Sequence, residues 1–138
     1  MSTETAVSDN VVAQGKNFVW HEVYGPSSQV AIDFYTQALG FGSHAMEMGE
    51  MGTYHMLTRG GVPVAGVVST DNDRMRDVPP HWSTYLAGDD VDASLAKCQE
   101  HGATVTVPPM DVPTVGRMAL IQDPQGAHIW IFTPNPNM

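Results

Sequence analysis

The length, composition and charge of the chain limit what it can be. Its 138 residues, 42% of them hydrophobic, suit one domain that buries about two thirds of the surface exposed in the unfolded chain. The single cysteine, Cys98, excludes an intrachain disulfide. No apolar run approaches the roughly 18 residues of a membrane span, and the first residues lack a charged-then-apolar leader, so we expect a cytoplasmic location and no membrane partner. The net charge of −9, with only six Lys and Arg, argues against nucleic acid as a partner, because cationic side chains neutralise phosphates.

The first half of the chain predicts one helix among four strands. Residues 1–16 are polar and aperiodic, which predicts a disordered tail. Ser27 or Ser28 is a candidate N-cap and Gly40 a left-handed C-cap, so a helix is expected at about 28–39. Its apolar residues recur on one broad face, which is formed by Val30, Phe34 and Ala38 together with Ala31, Tyr35 and Leu39. Alternation and β-branched content predict strands at 17–24, 43–48, 53–58 and 62–69.

The second half repeats this order after a charged, proline-ended connector at 70–80. Asp90 is the N-cap of a helix that ends at Gly102, with an apolar stripe through Val91. A turn at Asp123 joins the last two strands, and a tail follows at 134–138. The strands are expected at 81–88, 105–107, 117–122 and 127–133. The sequence therefore predicts a single α+β domain at 17–133, built from two βαβββ modules at 17–69 and 81–133. These modules would form a curved mixed sheet around a cavity, with the helices on the outer face.

Four motifs in this order resemble one family. They are W-x-E…A-x-x-FY…LGF between Trp20 and Phe41, VAGVV at 64–68, W-x-x-Y-x-x-x-D-D-V-D-A from Trp82, and G-R-M-A…D-P-Q-G-A from Gly116. Together they resemble the vicinal oxygen chelate superfamily, which includes glyoxalases, bleomycin resistance proteins and dioxygenases, and within it the subgroup labelled glyoxalase-like or hydroxylase. The resemblance implies the same two-module fold, a small-molecule ligand and a homodimer. It does not specify a reaction, because one fold carries many chemistries.

The resemblance also implies where a metal would bind. Metal enzymes of this superfamily place a His or Glu on the first strand of each module and a Glu or similar ligand on the last strand. Counting along the motifs, these positions fall on Trp20, on Ser83 or Trp82, on Trp130, and near 65–67. None of them is an imidazole or a carboxylate, so we predict no metal and no other cofactor. The alternative is a site with displaced ligands, drawn from His21, Glu22, His55, His81 and His128.

Glu22 is the main candidate for catalysis. Alternation along the first strand places it beside Trp20 on the predicted concave face, where a buried carboxylate would suit general base work or binding of a cationic or hydroxyl-bearing ligand. The alternative is a structural carboxylate that pairs with Arg117 or accepts hydrogen bonds from neighbouring Tyr or Gln side chains. A slip of one residue would place His21 on that face instead. The predicted ligand-binding residues are Trp20, Tyr54, Tyr85, Gln122 and Trp130.

These residues leave three functional hypotheses open. The first is a lyase- or isomerase-like enzyme that acts on a small organic metabolite, with Glu22 as its acid or base. The second is a protein of the bleomycin-resistance kind that sequesters a cationic drug without chemistry. The third is a metal-dependent glyoxalase or dioxygenase with displaced ligands. The sequence does not decide whether the protein is an enzyme.

Overall fold

The computed structural model describes residues 17–135. These residues form two compact units, one at 20–84 and the other at 17–19 together with 85–135. The predicted tail at 1–16 and the last three residues of the predicted tail at 134–138 lie outside the described residues. In the part that is described, neither α-helix combines the length and the apolar character needed to cross a bilayer.

The first βαβββ repeat follows the predicted order. It comprises β1 (Phe18–Gly25), α1 (Ser28–Leu39), β2 (Gly42–Glu47), β3 (Thr53–Arg59) and β4 (Val62–Ser69), with a short 3-10 helix at Gly49–Met51 that the sequence analysis missed. Ser27 is the N-cap, since its Oγ accepts from the Val30 N–H at 3.1 Å, and Gly40 ends the helix with a φ of 77°. The strands lie in the order β2-β3-β4-β1. β1 and β4 are parallel, and the other two pairs are antiparallel.

The second repeat has the same arrangement. It comprises β5 (His81–Ala87), α2 (Val91–Glu100), β6 (Thr104–Val112), β7 (Gly116–Gln122) and β8 (His128–Pro134). Asp90 caps α2 by accepting from the Ala93 N–H at 3.1 Å. The strands lie in the order β5-β8-β7-β6, with β5 parallel to β8. The two repeats confirm the predicted α+β fold.

Strand β6 is much longer than predicted. The expected strand was residues 105–107, which end before the prolines at 108 and 109, but β6 runs over Thr104–Val112. Its pairing with β7 is irregular between Val107 and Met110, which is where both prolines lie. β6 is the terminal strand of the order that the described residues form, in which its edge toward β7 is the paired one. A terminal strand tolerates proline, which lacks the N–H that a central strand needs.

The two helices pack differently on their sheets. On α2, Val91 is buried with Ala119, Ile121 and Ile131, and Leu95 and Cys98 pack against this group, as the predicted stripe requires. On α1 only part of the expected broad face packs on the sheet. Ala31 and Tyr35 are partly buried, together with Ile32, whereas Val30 and Phe34 are 69% and 55% exposed. Both rows of the face recur at helical spacing, so periodicity alone does not show which row packs.

Candidate functional site

One face of the first sheet gathers the residues that the sequence analysis selected. Trp20 and Glu22 alternate along β1 and therefore share a face. Glu22 pairs in register with Gly66 on β4, and Gly66 pairs with Met56 on β3. Because paired residues share a face and Tyr54 lies two positions before Met56, the Tyr54 side chain is on the face of Glu22. The predicted orientation of β1 is consistent with this arrangement, and Glu22 is only 6% exposed.

A continuous set of hydrogen bonds joins these side chains. Trp20 Nε1 donates to the Tyr54 hydroxyl oxygen at 2.9 Å, and the Tyr54 hydroxyl donates to Glu22 Oε2 at 2.6 Å. The Tyr24 hydroxyl donates to Glu22 Oε1, also at 2.6 Å. We call Trp20, Glu22, Tyr24 and Tyr54 the Glu22 cluster. Both carboxylate oxygens accept a short hydrogen bond, so the position of the carboxylate is fixed.

Gly66 is what allows Tyr54 to reach Glu22. Tyr54 is on β3 and Glu22 is on β1, and strand β4 lies between them. A Cβ atom at position 66 would overlap the phenol group of Tyr54 and press on Glu22 Cγ. The glycine of the VAGVV motif therefore leaves the space through which a side chain from one strand contacts a side chain two strands away.

The cluster keeps a proton on Tyr54. Burial is the largest cause that raises the pKa of the Tyr54 hydroxyl, and the negative charge of Glu22 and the hydrogen bond to it raise this pKa further. The Tyr54 pKa lies well above its usual value near 10. Tyr54 is therefore a persistent hydrogen-bond donor to Glu22, and it keeps its proton at neutral pH.

His81 adjoins the cluster through Tyr24. The rings of Tyr24 and His81 are nearly parallel, with an interplanar angle of 3° and centroids 4.8 Å apart. His81 Nδ1 lies 2.7 Å from the carbonyl oxygen of Pro79. His55, by contrast, pairs with Val67 and so shares the opposite face of the sheet. Both histidines were candidate ligands of the displaced metal site, and ring stacking on Tyr24 places His81 beside the cluster.

The remaining predicted site residues lie in the other unit. Tyr85 and Trp130 stack with centroids 5.2 Å apart and an interplanar angle of 3°. They lie on the face of the sheet opposite Ala119 and the apolar side of α2. Gln122 donates through Nε2 to the carbonyl oxygen of Gly126 at 3.2 Å, so it contacts the turn of its own hairpin.

Arg117 has partners that the sequence analysis did not predict. Its guanidinium donates to both carboxylate oxygens of Asp92, at 2.8 and 3.0 Å, and to Asp111 at 3.1 Å. These bonds hold the pKa of Asp92 below its usual value. Arg117 was one expected partner of Glu22, whereas the structure gives Glu22 tyrosine partners.

A surface cavity of about 330 Å³ includes Asp111, Arg117 and Thr133 in its lining. None of the predicted site residues lines this cavity, and its charged groups are paired, so we place the candidate site at the Glu22 cluster.

The residues present do not fit the metal that the resemblance implies. Of the two residues counted for the second module, Trp82 donates through Nε1 to the Tyr35 hydroxyl on α1, whereas Ser83 is buried. The corresponding positions then hold Trp20, Ser83, Trp130 and the small or apolar residues at 65–67, none of which is a usual ligand of a divalent metal. Within residues 17–135, no three His, Cys, Asp or Glu side chains are grouped so that they could hold a metal ion. The displaced-ligand alternative therefore lacks a ligand set in the described part of the chain.

Comparison with known proteins agrees with the fold and the motifs. The family model of the Glyoxalase/Bleomycin resistance protein/Dioxygenase superfamily matches residues 18–131. The chain belongs to this superfamily, which confirms the resemblance found in the sequence.

Two relatives and two solved structures are similar to the chain. CFP32 of Mycobacterium tuberculosis, provisionally named a glyoxylase, is 33% identical over 130 residues, which cover 94% of this chain and 49% of CFP32. DnrV of Streptomyces peucetius, named an anthracycline biosynthesis protein, is 30% identical over 119 residues, which cover 78% of this chain and 43% of DnrV. The chain thus spans about half the length of the curated relatives it matches.

Methylmalonyl-CoA epimerase from M. tuberculosis has a similar structure, with a TM-score of 0.60 at 17% identity; the alignment covers 88% of this chain and 89% of the epimerase chain. The hypothetical protein BH1468 from Bacillus halodurans aligns with a TM-score of 0.65 at 10% identity over 86% and 94%. At these identities the two structures support the fold alone.

Proposed function

We propose that the chain binds a small organic ligand at the Glu22 cluster and carries out a lyase- or isomerase-like reaction on it. The observation that carries the proposal is a carboxylate that is 6% exposed and accepts a 2.6 Å hydrogen bond on each oxygen. Glu22 takes a proton from one ligand atom and returns a proton to the ligand. In an isomerisation the proton returns to another atom or face, and in a lyase reaction it goes to the departing fragment, so atoms balance in both cases.

The cluster supports this role by holding Glu22 in one position. Proton transfer needs the base to lie within hydrogen-bond reach of the proton it takes, so a fixed carboxylate lowers the cost of reaching that geometry. An ionised carboxylate can accept about four hydrogen bonds, and two of those it accepts here come from Tyr24 and Tyr54. Tyr54, whose pKa is raised, keeps its proton and continues to hold the carboxylate while a ligand is bound. We propose Trp20 and Tyr54 as ligand-contacting residues that flank Glu22.

A second candidate function is sequestration of a planar or cationic ligand without reaction. The parallel rings of Tyr85 and Trp130 favour it, because stacked aromatic side chains suit a flat ligand and the faces of aromatic rings attract cations. The net charge of −9 also favours a cationic ligand. Tyr85, Trp130 and Gln122 are the proposed ligand-binding residues of the second unit.

A ligand screen with matched variants tests the first proposal. We expect a compound that raises the melting temperature of the wild-type protein to bind Glu22→Gln about tenfold or more weakly, since a hydrogen bond to a charged group contributes about 1.5–3 kcal/mol. Glu47→Gln is the control, because Glu47 is an exposed glutamate that accepts a hydrogen bond from Thr53. Titration calorimetry gives the affinities. Equal binding of each screened ligand to wild type and Glu22→Gln would remove Glu22 from the site. Weaker binding accompanied by no turnover of any hit would keep Glu22 in the ligand site and contradict the proposed reaction.

We also propose that the protein works as a cytoplasmic homodimer. The exposed apolar side chains Val30 and Phe34 on α1 support an interface there. We expect light scattering during gel filtration to give the mass of two chains for the wild type and of one chain for Phe34→Asp. Val62→Asp is the control, because Val62 is 62% exposed on β4 and should leave the mass unchanged. A wild-type mass of one chain at micromolar concentration would contradict the proposal.

A further inference from the structure

We propose that the hairpin of β2 and β3 binds a soft monovalent metal ion, Cu(I), through the thioether sulfurs of Met46, Met48 and Met51. This site goes beyond the proposed function, because it needs neither Glu22 nor the tyrosines that contact it. It also differs from the divalent metal sites considered above, whose ligands would be histidine or carboxylate side chains. Sequence spacing, backbone pairing, exposure and charge each support it.

Methionine is concentrated at the tip of this hairpin. The chain has nine methionines, and three of them occur in the segment M-E-M-G-E-M at 46–51. The thioether of methionine is a soft and neutral ligand, and soft sulfur ligands favour Cu(I), whereas carboxylates suit harder divalent ions. The methionine side chain is also flexible, so its sulfur can adjust its position to an ion. The segment therefore offers three ligands of one chemical kind that are close together in the chain.

Met46 and Met48 are on one face of the hairpin. The pairing of β2 with β3 is regular from Gly42 to Glu47. The Met48 N–H donates to the Gly52 carbonyl oxygen at 2.8 Å, so the pairing continues to position 48. Residues two apart in an extended strand share a face and lie about 7 Å apart. Because metal–sulfur bonds are about 2.3 Å long, one ion spans up to about 4.6 Å between two sulfurs, and the flexible side chains span the rest.

The turn after β2 brings Met51 close to Met48. The Met51 N–H donates to the Met48 carbonyl oxygen at 3.1 Å. A hydrogen bond of this kind closes a four-residue turn, in which the first and last Cα atoms lie within about 7 Å of each other. Gly49 and Gly52 permit the tight turn, because their φ angles of 61° and 84° lie in the left-handed region. The three sulfurs can therefore reach one ion.

The methionines at the tip are accessible from solvent. Every residue of β2 is exposed. Met46 is 40% exposed and Met51 is 58% exposed, whereas Met48 is partly buried. Met46 pairs with Tyr54, but the Tyr54 side chain extends away from β2, across β4 to Glu22. An ion can therefore approach the methionines from outside the fold.

The charge around the tip favours a cation. Residues 42–53 contain two glutamates and no lysine or arginine. Glu47 accepts a hydrogen bond from Thr53 Oγ1 at 2.9 Å, and alternation places it on the face opposite Met46. The carboxylates attract a positive ion to the tip. Within residues 17–135 no three His, Cys, Asp or Glu side chains are grouped so that they could hold a metal ion, so the sulfurs decide which ion binds, and they select a soft one.

Titration with silver tests the ligand set without a redox step. Ag(I) has the charge and softness of Cu(I) and stays monovalent in air. The protein carries Cys98→Ala, which removes a free thiol that would compete for silver, and ¹³C at the methionine methyl groups. We expect silver nitrate in chloride-free buffer to shift the methyl signals of Met46, Met48 and Met51 together, until one ion is bound per chain. Single Met→Leu substitutions assign the signals, because this exchange conserves volume.

Matched variants test which side chains hold the ion. Met48→Leu should weaken the binding of Ag(I) about tenfold or more, since even the loss of a group that only supports a metal ligand costs about 10–100-fold. It should weaken the binding of Cu(I) likewise, measured without oxygen by competition with a coloured chelator. Met75→Leu is one control, because Met75 is a partly buried methionine between two arginines of the connector. His44→Gln is another, because His44 lies about 13 Å from Met48 along the strand, too far for one ion to bridge. Both controls should bind like the parent protein.

Several outcomes would overturn the inference. They are no binding of Ag(I) or Cu(I) at micromolar concentration, methyl shifts confined to other methionines, and equal binding by Met48→Leu and Met75→Leu. Loss of binding in His44→Gln would also overturn it, because an imidazole would then belong to the ligand set. Zn(II) should leave the three methyl signals unchanged, and shifts equal to those caused by silver would contradict a soft site. None of these variants alters Glu22 or its hydrogen-bond partners, so each result is independent of the test of the proposed function.

Discussion

Replacement of Gly66 by alanine is expected to destabilise the protein by about 1–3 kcal/mol, the usual cost of inserting an extra methyl group into a packed region. The added Cβ would occupy the space through which Tyr54 reaches Glu22. Tyr54 would have to move away, and its hydrogen bonds to Glu22 and from Trp20 would be lost together. Urea unfolding measures the loss of stability. The same variant should also fail to bind the screened ligands.

Gly25 provides the matched control for this substitution. It lies at the end of β1, its φ is outside the left-handed region, and a Cβ there meets no atom within 4 Å. Gly25→Ala should leave stability and binding close to those of the wild type. If Gly66→Ala matches Gly25→Ala in both measurements, then Tyr54 does not need the space above β4 and the cluster is assembled differently.

Alkaline pH is expected to destabilise the protein through Tyr54. The unfolded chain releases the Tyr54 proton near the ordinary tyrosine pKa of about 10, whereas the folded chain retains it because the pKa is raised. Unfolding above that pH therefore releases a proton, and the free energy of unfolding falls as pH rises, by up to about 1.4 kcal/mol per pH unit. Tyr54 makes no such contribution at neutral pH, where the proton is present in both states.

Comparison with Tyr54→Phe isolates this effect, because phenylalanine has no proton to release. Urea unfolding on both sides of about pH 10 should show a steeper decline for the wild type than for the variant. The absorbance of ionised tyrosine should also show a group that titrates only on unfolding in the wild type and is missing from Tyr54→Phe. Parallel declines of the two proteins would mean that Tyr54 ionises freely and is not held by Glu22.

Most of the fold could be predicted because local chemistry marks its boundaries. Ser27, Gly40 and Asp90 cap their helices through hydrogen bonds or backbone angles that depend on neighbouring residues only. The turn before β8 is equally local, with the Gly126 N–H donating to the Asp123 carbonyl oxygen at 3.0 Å. The extent of β6 and the packed side of α1 could not be predicted in this way. The first depends on β6 being the terminal strand, and the second on which of two apolar rows meets the sheet.

Part of the candidate site could also be predicted from the sequence. Alternation along β1 correctly placed Trp20 and Glu22 on one face, and tyrosine was among the expected partners of Glu22. Two contacts required the assembled sheet. Tyr54 and Glu22 are separated by strand β4, and they contact each other because β4 has a glycine, Gly66, where the two side chains meet. Arg117 contacts Asp92 because α2 packs on β7. The functional roles of these residues stay predictions.

The prolines of β6 limit aggregation between copies of the protein. A terminal strand normally offers a row of unpaired N–H and C=O groups on which another chain can add a strand, and this is a common route to aggregation. Residues 108 and 109 have no N–H to offer, and the irregular register around them interrupts the row of backbone groups. An incoming strand could pair along no more than a few residues on either side of them. The prolines that interrupt β6 thus also protect the end of its sheet from addition of further strands.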